Sequence, residues 1–71
     1  MKIGDLVMFK AEGSYAEWFG GHMAIVESVS YRSDGVLCCR VRWLQPVKYF
    51  DGYSTYSDFS ADRFEVYGDG S

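Results

Sequence analysis

Residues 36–44 read VLCCRVRWL. Leu37, Cys39, Val41 and Trp43 take alternate positions, with Cys38, Arg40 and Arg42 between them. Successive side chains of an extended chain point to opposite faces, so this pattern makes one apolar face and one basic face. The stretch reads as a half-buried strand with its apolar face inward and its arginines in solvent. Ser33-Asp34-Gly35 just before it is a tight-turn sequence. Pro46 just after it has no N–H to give a ladder, which predicts that the strand stops there.

Other strands follow outward from this one. Leu6–Lys10 (LVMFK) comes after a Gly4-Asp5 turn, and His22–Tyr31 (HMAIVESVSY) is opened by Gly20-Gly21. The last is Phe64–Tyr67 (FEVY), with Phe64 and Val66 on one face. Helix signals are weak. Ala11–Phe19 (AEGSYAEWF) supports a single turn, interrupted by Gly13-Ser14 and ended by the glycine pair. Ser60-Ala61-Asp62-Arg63 reads as a 3₁₀ turn with Ser60 able to cap it.

Residues 47–60, VKYFDGYSTYSDFS, hold five aromatics among Asp, Ser and Gly. Asp51-Gly52 between β-formers is a strong hairpin signal. The expectation is a projecting hairpin, with Val47–Phe50 against Tyr53–Tyr56.

A chain of 71 residues makes one domain. It buries only about 60% of the surface its unfolded form exposes, so its core must be dense in large side chains. An aromatic content of 18% meets that need. The expected core is Val7, Phe9, Val26, Val29, Leu37, Val41, Trp43, Phe64 and Val66. The reading is an all-β domain over residues 1–67: a small five-stranded, partly open barrel with one extra projecting hairpin and one 3₁₀ turn. Residues 68–71 read as a flexible tail.

Composition narrows the function. The apolar runs fall far short of the ~20 residues of a membrane span, and no secretory leader is expected. Cys38 and Cys39 are adjacent and so face opposite ways on a strand, against a mutual disulfide. They read as reduced structural thiols, which points to the cytoplasm. Net charge is −3. It is uneven: Arg32, Arg40, Arg42 and Lys48 face only Asp34 in residues 32–48, while both flanks are acidic. An acidic chain is not drawn as a whole to a phosphate backbone, although a local basic stripe can touch one.

Gly4-Asp5-Leu6-Val7, then Gly21-x-x-Ala24-x-Val26-x-x-Val29, then Val36 to Trp43, and finally Ser60-Ala61-Asp62-Arg63-Phe64-Glu65-Val66 span nearly the whole chain. This succession resembles the SH3-like barrel superfamily. The second strand is similar to the KOW-type variant, with a small residue at Ala24. The plan as a whole resembles small uncharacterised SH3-like proteins of bacteriophages and marine bacteria. The resemblance implies the barrel and carries over no site residue. The chain differs from the proline-peptide-binding SH3 domains in having no ALYDY-like stretch and no paired Trp opening the third strand.

Little in the sequence suggests catalysis. His22 has no nucleophile in a recognisable motif beside it. Asp51, Asp58 and Asp62 match no Ca²⁺ loop and suit turns instead. No Gly-rich strand-to-helix loop is present to cradle a phosphate. The expectation is a non-enzyme without cofactor or metal. The aromatics offer more. Phe19, Phe50 and Phe59 suit a lid over the barrel mouth. Tyr15, Trp18, Tyr49, Tyr53 and Tyr56 suit an exposed shelf that binds a peptide or protein, since rigid rings give large contact area at low entropic cost. Glu12, Glu17, Asp51 and Asp58 lie among the rings and favour a basic partner. Two alternatives stand beside this reading. One is single-stranded nucleic acid held by Arg40, Arg42 and Lys48 with the tyrosines. The other is a homo-oligomer formed through the hairpin.

Overall fold

The computed structural model describes residues 1–68 and is mostly sheet. Strands β1 (Leu6–Phe9), β2 (Met23–Tyr31), β3 (Leu37–Tyr49), β4 (Gly52–Ser60) and β5 (Phe64–Gly68) form one antiparallel sheet in the order β4-β3-β2-β1-β5. A one-turn helix, α1 (Ala16–Phe19), lies between β1 and β2, and a 3₁₀ turn (Ala61–Arg63) lies between β4 and β5. This is the expected small all-β domain with five strands and one 3₁₀ turn. The sheet does not close on itself. β4 and β5 remain its two edges.

The alternation in residues 36–44 is realised directly. Cys39, Val41 and Trp43 are buried, while Arg40 and Arg42 are exposed. The turn before β3 forms on Asp34: its carboxylate accepts the Val36 N–H at 3.1 Å and a guanidinium N–H of Arg32 at 3.0 Å. Gly35 follows at φ 85°, a backbone angle that side chains other than glycine adopt reluctantly. The Val36 N–H first, and Arg32 second, hold the Asp34 carboxyl below its usual range. A group depressed in this way favours the fold above its ordinary titration range and ceases to as the pH falls below it.

Pro46 does not end β3, contrary to expectation. The strand runs on to Tyr49. The register with β4 jumps between the Arg42–Tyr56 and Val47–Ser54 pairs, so Pro46 sits inside an irregularity where no ladder N–H is required of it. The inward parity of Val41 and Trp43 carries on past the break. Arg42 faces solvent, whereas Val47 is fully buried. The hairpin of residues 47–54 continues β3 and β4, with Val47 buried at its base and Phe50 exposed at its tip. Its two-residue turn is Phe50-Asp51, because Tyr49 pairs with Gly52. The expected Asp51-Gly52 turn is displaced by one residue, and Phe50, not glycine, takes the positive φ of 57°.

The core holds Val7, Phe9, Val26, Val41, Trp43 and Phe64 as expected, and adds Phe19, Ala24, Cys39 and Val47. Val29 and Leu37 are only half-buried. Val66 was expected inside but is 52% exposed. It alternates in phase with Phe64, yet β5 is an edge strand, paired on one side only. β5 also continues to Gly68, so the domain passes residue 67 by one; residues 69–71 of the expected tail lie outside the described residues. The 3₁₀ turn begins after Ser60, but its hydroxyl donates to Asp62 Oδ1 at 2.7 Å instead of capping a backbone group.

The single helical turn contributes Phe19 to the core and stops at once. Gly20 is pressed so close to the Ala16 carbonyl that an added Cβ would lie 2.6 Å from the oxygen. Gly21 then donates its N–H to the Phe9 carbonyl at 2.9 Å, which ties the loop back onto β1. Cys38 and Cys39 are both free, with Cys38 half-buried and Cys39 buried. Burial, followed by the neighbouring Cys38, pushes the Cys39 thiol up to about 11. The thiolate is the reactive form, so iodoacetamide at pH 8 is expected to alkylate Cys38 and spare Cys39 until the chain unfolds. Peptide mass mapping reads this out, and equal labelling of both would remove Cys39 from the core.

Candidate functional site

The rings of the first loop and of the hairpin converge. β1 and β2 are joined by a loop that α1 folds back over β3, and the bend after Arg42 brings the hairpin to meet it. Tyr15 lies 6.2 Å from Tyr49 and 5.4 Å from Phe59, measured between ring centroids. Trp18 stands edge-on to Tyr49 at 5.0 Å and is 5.0 Å from Phe50. Phe19 forms the base, stacked on Trp43 at 5.0 Å with the ring planes 16° apart. Such pairs add about 0.5–1.5 kcal/mol each beyond simple burial.

An open groove of about 520 Å³ lies beside this cluster. Tyr15, Tyr49 and Phe59 form its aromatic wall, with Phe19 below them, and the run Tyr53–Phe59 of β4 lines its length. Of the five expected contact residues, Tyr15, Tyr49, Tyr53 and Tyr56 line the groove. Trp18 does not. It is half-buried and instead buttresses Tyr49 from behind. Tyr53 is 71% exposed and Tyr56 54%. The lid assignments divide: Phe19 is buried and Phe59 half-buried, but Phe50 is 65% exposed at the hairpin tip, where the turn carries its ring out of the core.

Tyr49 is half-buried, and its removal from water, together with the adjacent Tyr15 phenol, keeps its own phenol protonated above the usual tyrosine range. The Tyr49 phenol is therefore a neutral donor and acceptor at neutral pH. Asp58 is the sole charged group among the lining residues.

The basic stripe is present but engaged. Arg40 donates from Nε and Nη2 to the two carboxylate oxygens of Asp58 at 2.9 and 3.1 Å, a bidentate pair. Asp58 raises the Arg40 pKa further. The same guanidinium lies 5.3 Å from the centroid of the Tyr56 ring. Arg42 donates to Glu27 at 2.8 Å. Lys48 is exposed and sits across the ladder from Tyr53. The alternation in sequence showed where the arginines point, but not that a carboxylate stands opposite each, because Asp58 and Glu27 come from neighbouring strands.

His22 is exposed, at the edge of Trp43, with centroids 6.5 Å apart. Asp58 and Asp62 are occupied by Arg40 and Ser60, and the described residues contain no cluster of His, Cys, Asp or Glu able to hold a metal ion. No helix among them is long and apolar enough to cross a membrane. Phe19, Phe59 and Val47 support the site from below, and only the first two stood out in sequence as aromatics. Val47 shares the inward parity of Val41 and Trp43, and it was missed because Pro46 was expected to end the strand before it. No family model, curated protein or solved structure matches this chain.

Proposed function

We propose that this chain is a small non-enzymatic interaction module, of the SH3-like barrel class and working in a reducing cytoplasm, that holds a peptide segment of a protein partner in its aromatic groove. The observation that carries the reading is the aromatic wall of Tyr15, Tyr49 and Phe59 facing the exposed Tyr53 and Tyr56 across one open depression. Tyrosine walls suit peptides: the ring covers apolar side chains while the phenol reaches backbone carbonyls. Glu12, Glu17 and Asp51 lie in the segments that bear the rings, and none is ion-paired among the described residues. A partner rich in Lys or Arg is therefore favoured. Nucleic acid is disfavoured, because phosphates have to displace Asp58 from Arg40 and Glu27 from Arg42.

Fluorescence titration with capped basic, acidic and proline-containing peptides and with oligo-dT tests this. The basic peptide is expected to give a saturable change that disappears in Trp18→Phe. Tyr15→Ala is expected to weaken it at least tenfold, the size of an interfacial hot spot. A response to oligo-dT alone, falling steeply with salt, would replace the peptide reading with the nucleic-acid one.

A further inference from the structure

We infer, building on the peptide-binding reading above, that the ligand binds as a sixth strand, pairing its backbone with the open outer edge of β4. Three independent observations carry this. First, β4 is hydrogen-bonded on one side only. It is the terminal strand of the sheet, and none of the backbone hydrogen bonds formed outside the ladders by the described residues involves residues 52–60. Second, the edge is long and unguarded. Proteins protect sheet edges by shortening them or by placing lysine, proline or a stranded charge on them. β4 is nine residues long, against a mean of about five to six, and contains neither Lys nor Pro. Its one charge, Asp58, is neutralised by Arg40. The opposite edge, β5, has five residues and carries Glu65. Third, the groove follows this edge: the consecutive residues Tyr53 to Phe59 line it. A stretch of that length accepts about seven residues of extended chain, or roughly 23 Å.

The occupant is an extended basic segment with apolar residues at alternate positions. In a strand added here, every second side chain faces the Tyr15, Tyr49 and Phe59 wall, and the others face solvent beside Tyr56. The carboxylates of Glu12, Glu17 and Asp51, in the segments that bear the rings and without an ion pair among the described residues, complement its charge. A second copy of this chain fits less well. It brings another net charge of −3, and two β4 edges alone offer far less than the ~800 Å² per partner that a stable dimer buries.

The probe is a capped heptapeptide alternating Lys and Val, together with two analogues N-methylated at the odd or at the even residues. Each analogue blocks the N–H groups along one edge of the extended peptide. Strand addition predicts that one analogue binds within about threefold of the parent while the other is weakened at least tenfold. It also predicts slowed hydrogen exchange at β4 amides on peptide addition. Equal affinities for the two analogues, whether retained or lost, overturn strand addition, and a retained fluorescence change would leave the aromatic groove standing without it. A parent peptide that neither binds nor protects β4 also overturns it, whatever the wider peptide panel shows. Protection of β4 without peptide, together with a doubled mass in sedimentation, gives the edge to a second copy and overturns the peptide as occupant.

Discussion

Replacing Trp43 by alanine is expected to abolish cooperative unfolding at 25 °C. The side chain is 4% exposed and meets Phe9, Phe19 and Phe64 at centroid distances of 6.4, 5.0 and 6.1 Å. Its indole N–H donates to Ser57 Oγ at 3.0 Å, so one residue joins the floor of the core to edge strand β4. Truncating a buried Trp typically costs about 3–5 kcal/mol. A domain of this size rarely holds more than about that amount in total. Trp43→Phe keeps an aromatic ring and gives up the N–H, so it is expected to fold cooperatively with its stability lowered by about 1–3 kcal/mol. Urea titration followed by far-UV circular dichroism distinguishes the two. A sharp Trp43→Ala transition near the parent midpoint would remove this ring from the centre of the fold.

Val47→Asp is expected to release the hairpin while sparing most of the sheet. Val47 is the buried anchor beyond the bend in β3, and burying an isolated carboxylate there is prohibitive. The chain has a cheaper escape: residues 47–54 swing out and hydrate the charge, giving up the packing of Tyr49 on Phe19, Trp18 and Tyr15. The expected cost is that of local opening, about 2–4 kcal/mol, with fast amide exchange confined to the hairpin and protection kept in β1, β2 and the first half of β3. Val47→Leu changes volume alone and is expected to cost under about 2 kcal/mol. Uniform loss of protection across all strands in Val47→Asp would show that the hairpin and the sheet melt as one unit.

Strands were legible wherever one face is buried and the other wet. VLCCRVRWL alternates because β3 has solvent on one side, and the pattern stops being informative where that geometry ends. Pro46 was misread for this reason. Proline signals a missing donor, but a local rule does not reveal that the ladder with β4 skips over residues 43–46. Phe50 was misread likewise, since Asp-Gly normally takes the turn centre and here Phe50, exposed at the hairpin tip, takes a positive φ that glycine would adopt more easily. Val66 shows the opposite limit: a correct face, at an edge that nothing covers. Tyr15 and Tyr49 were assigned to one shelf by residue type, and their rings do converge. The groove along β4 was not legible, because an unpaired edge is a property of strand order, and strand order appears in no short segment.

That strand order has a further consequence. β1 and β5 are neighbours, and Leu6 lies opposite Gly68 in their ladder. The chain thus comes into the domain and leaves it at almost the same point. A unit with adjacent ends can be spliced into a surface loop of an unrelated host without forcing that loop apart. It also tolerates tying the ends together with a short linker and cutting new ones at Ser33–Gly35, where the backbone is exposed and the rings are far off in sequence. A circularly permuted version of this kind is expected to keep the tyrosine wall intact.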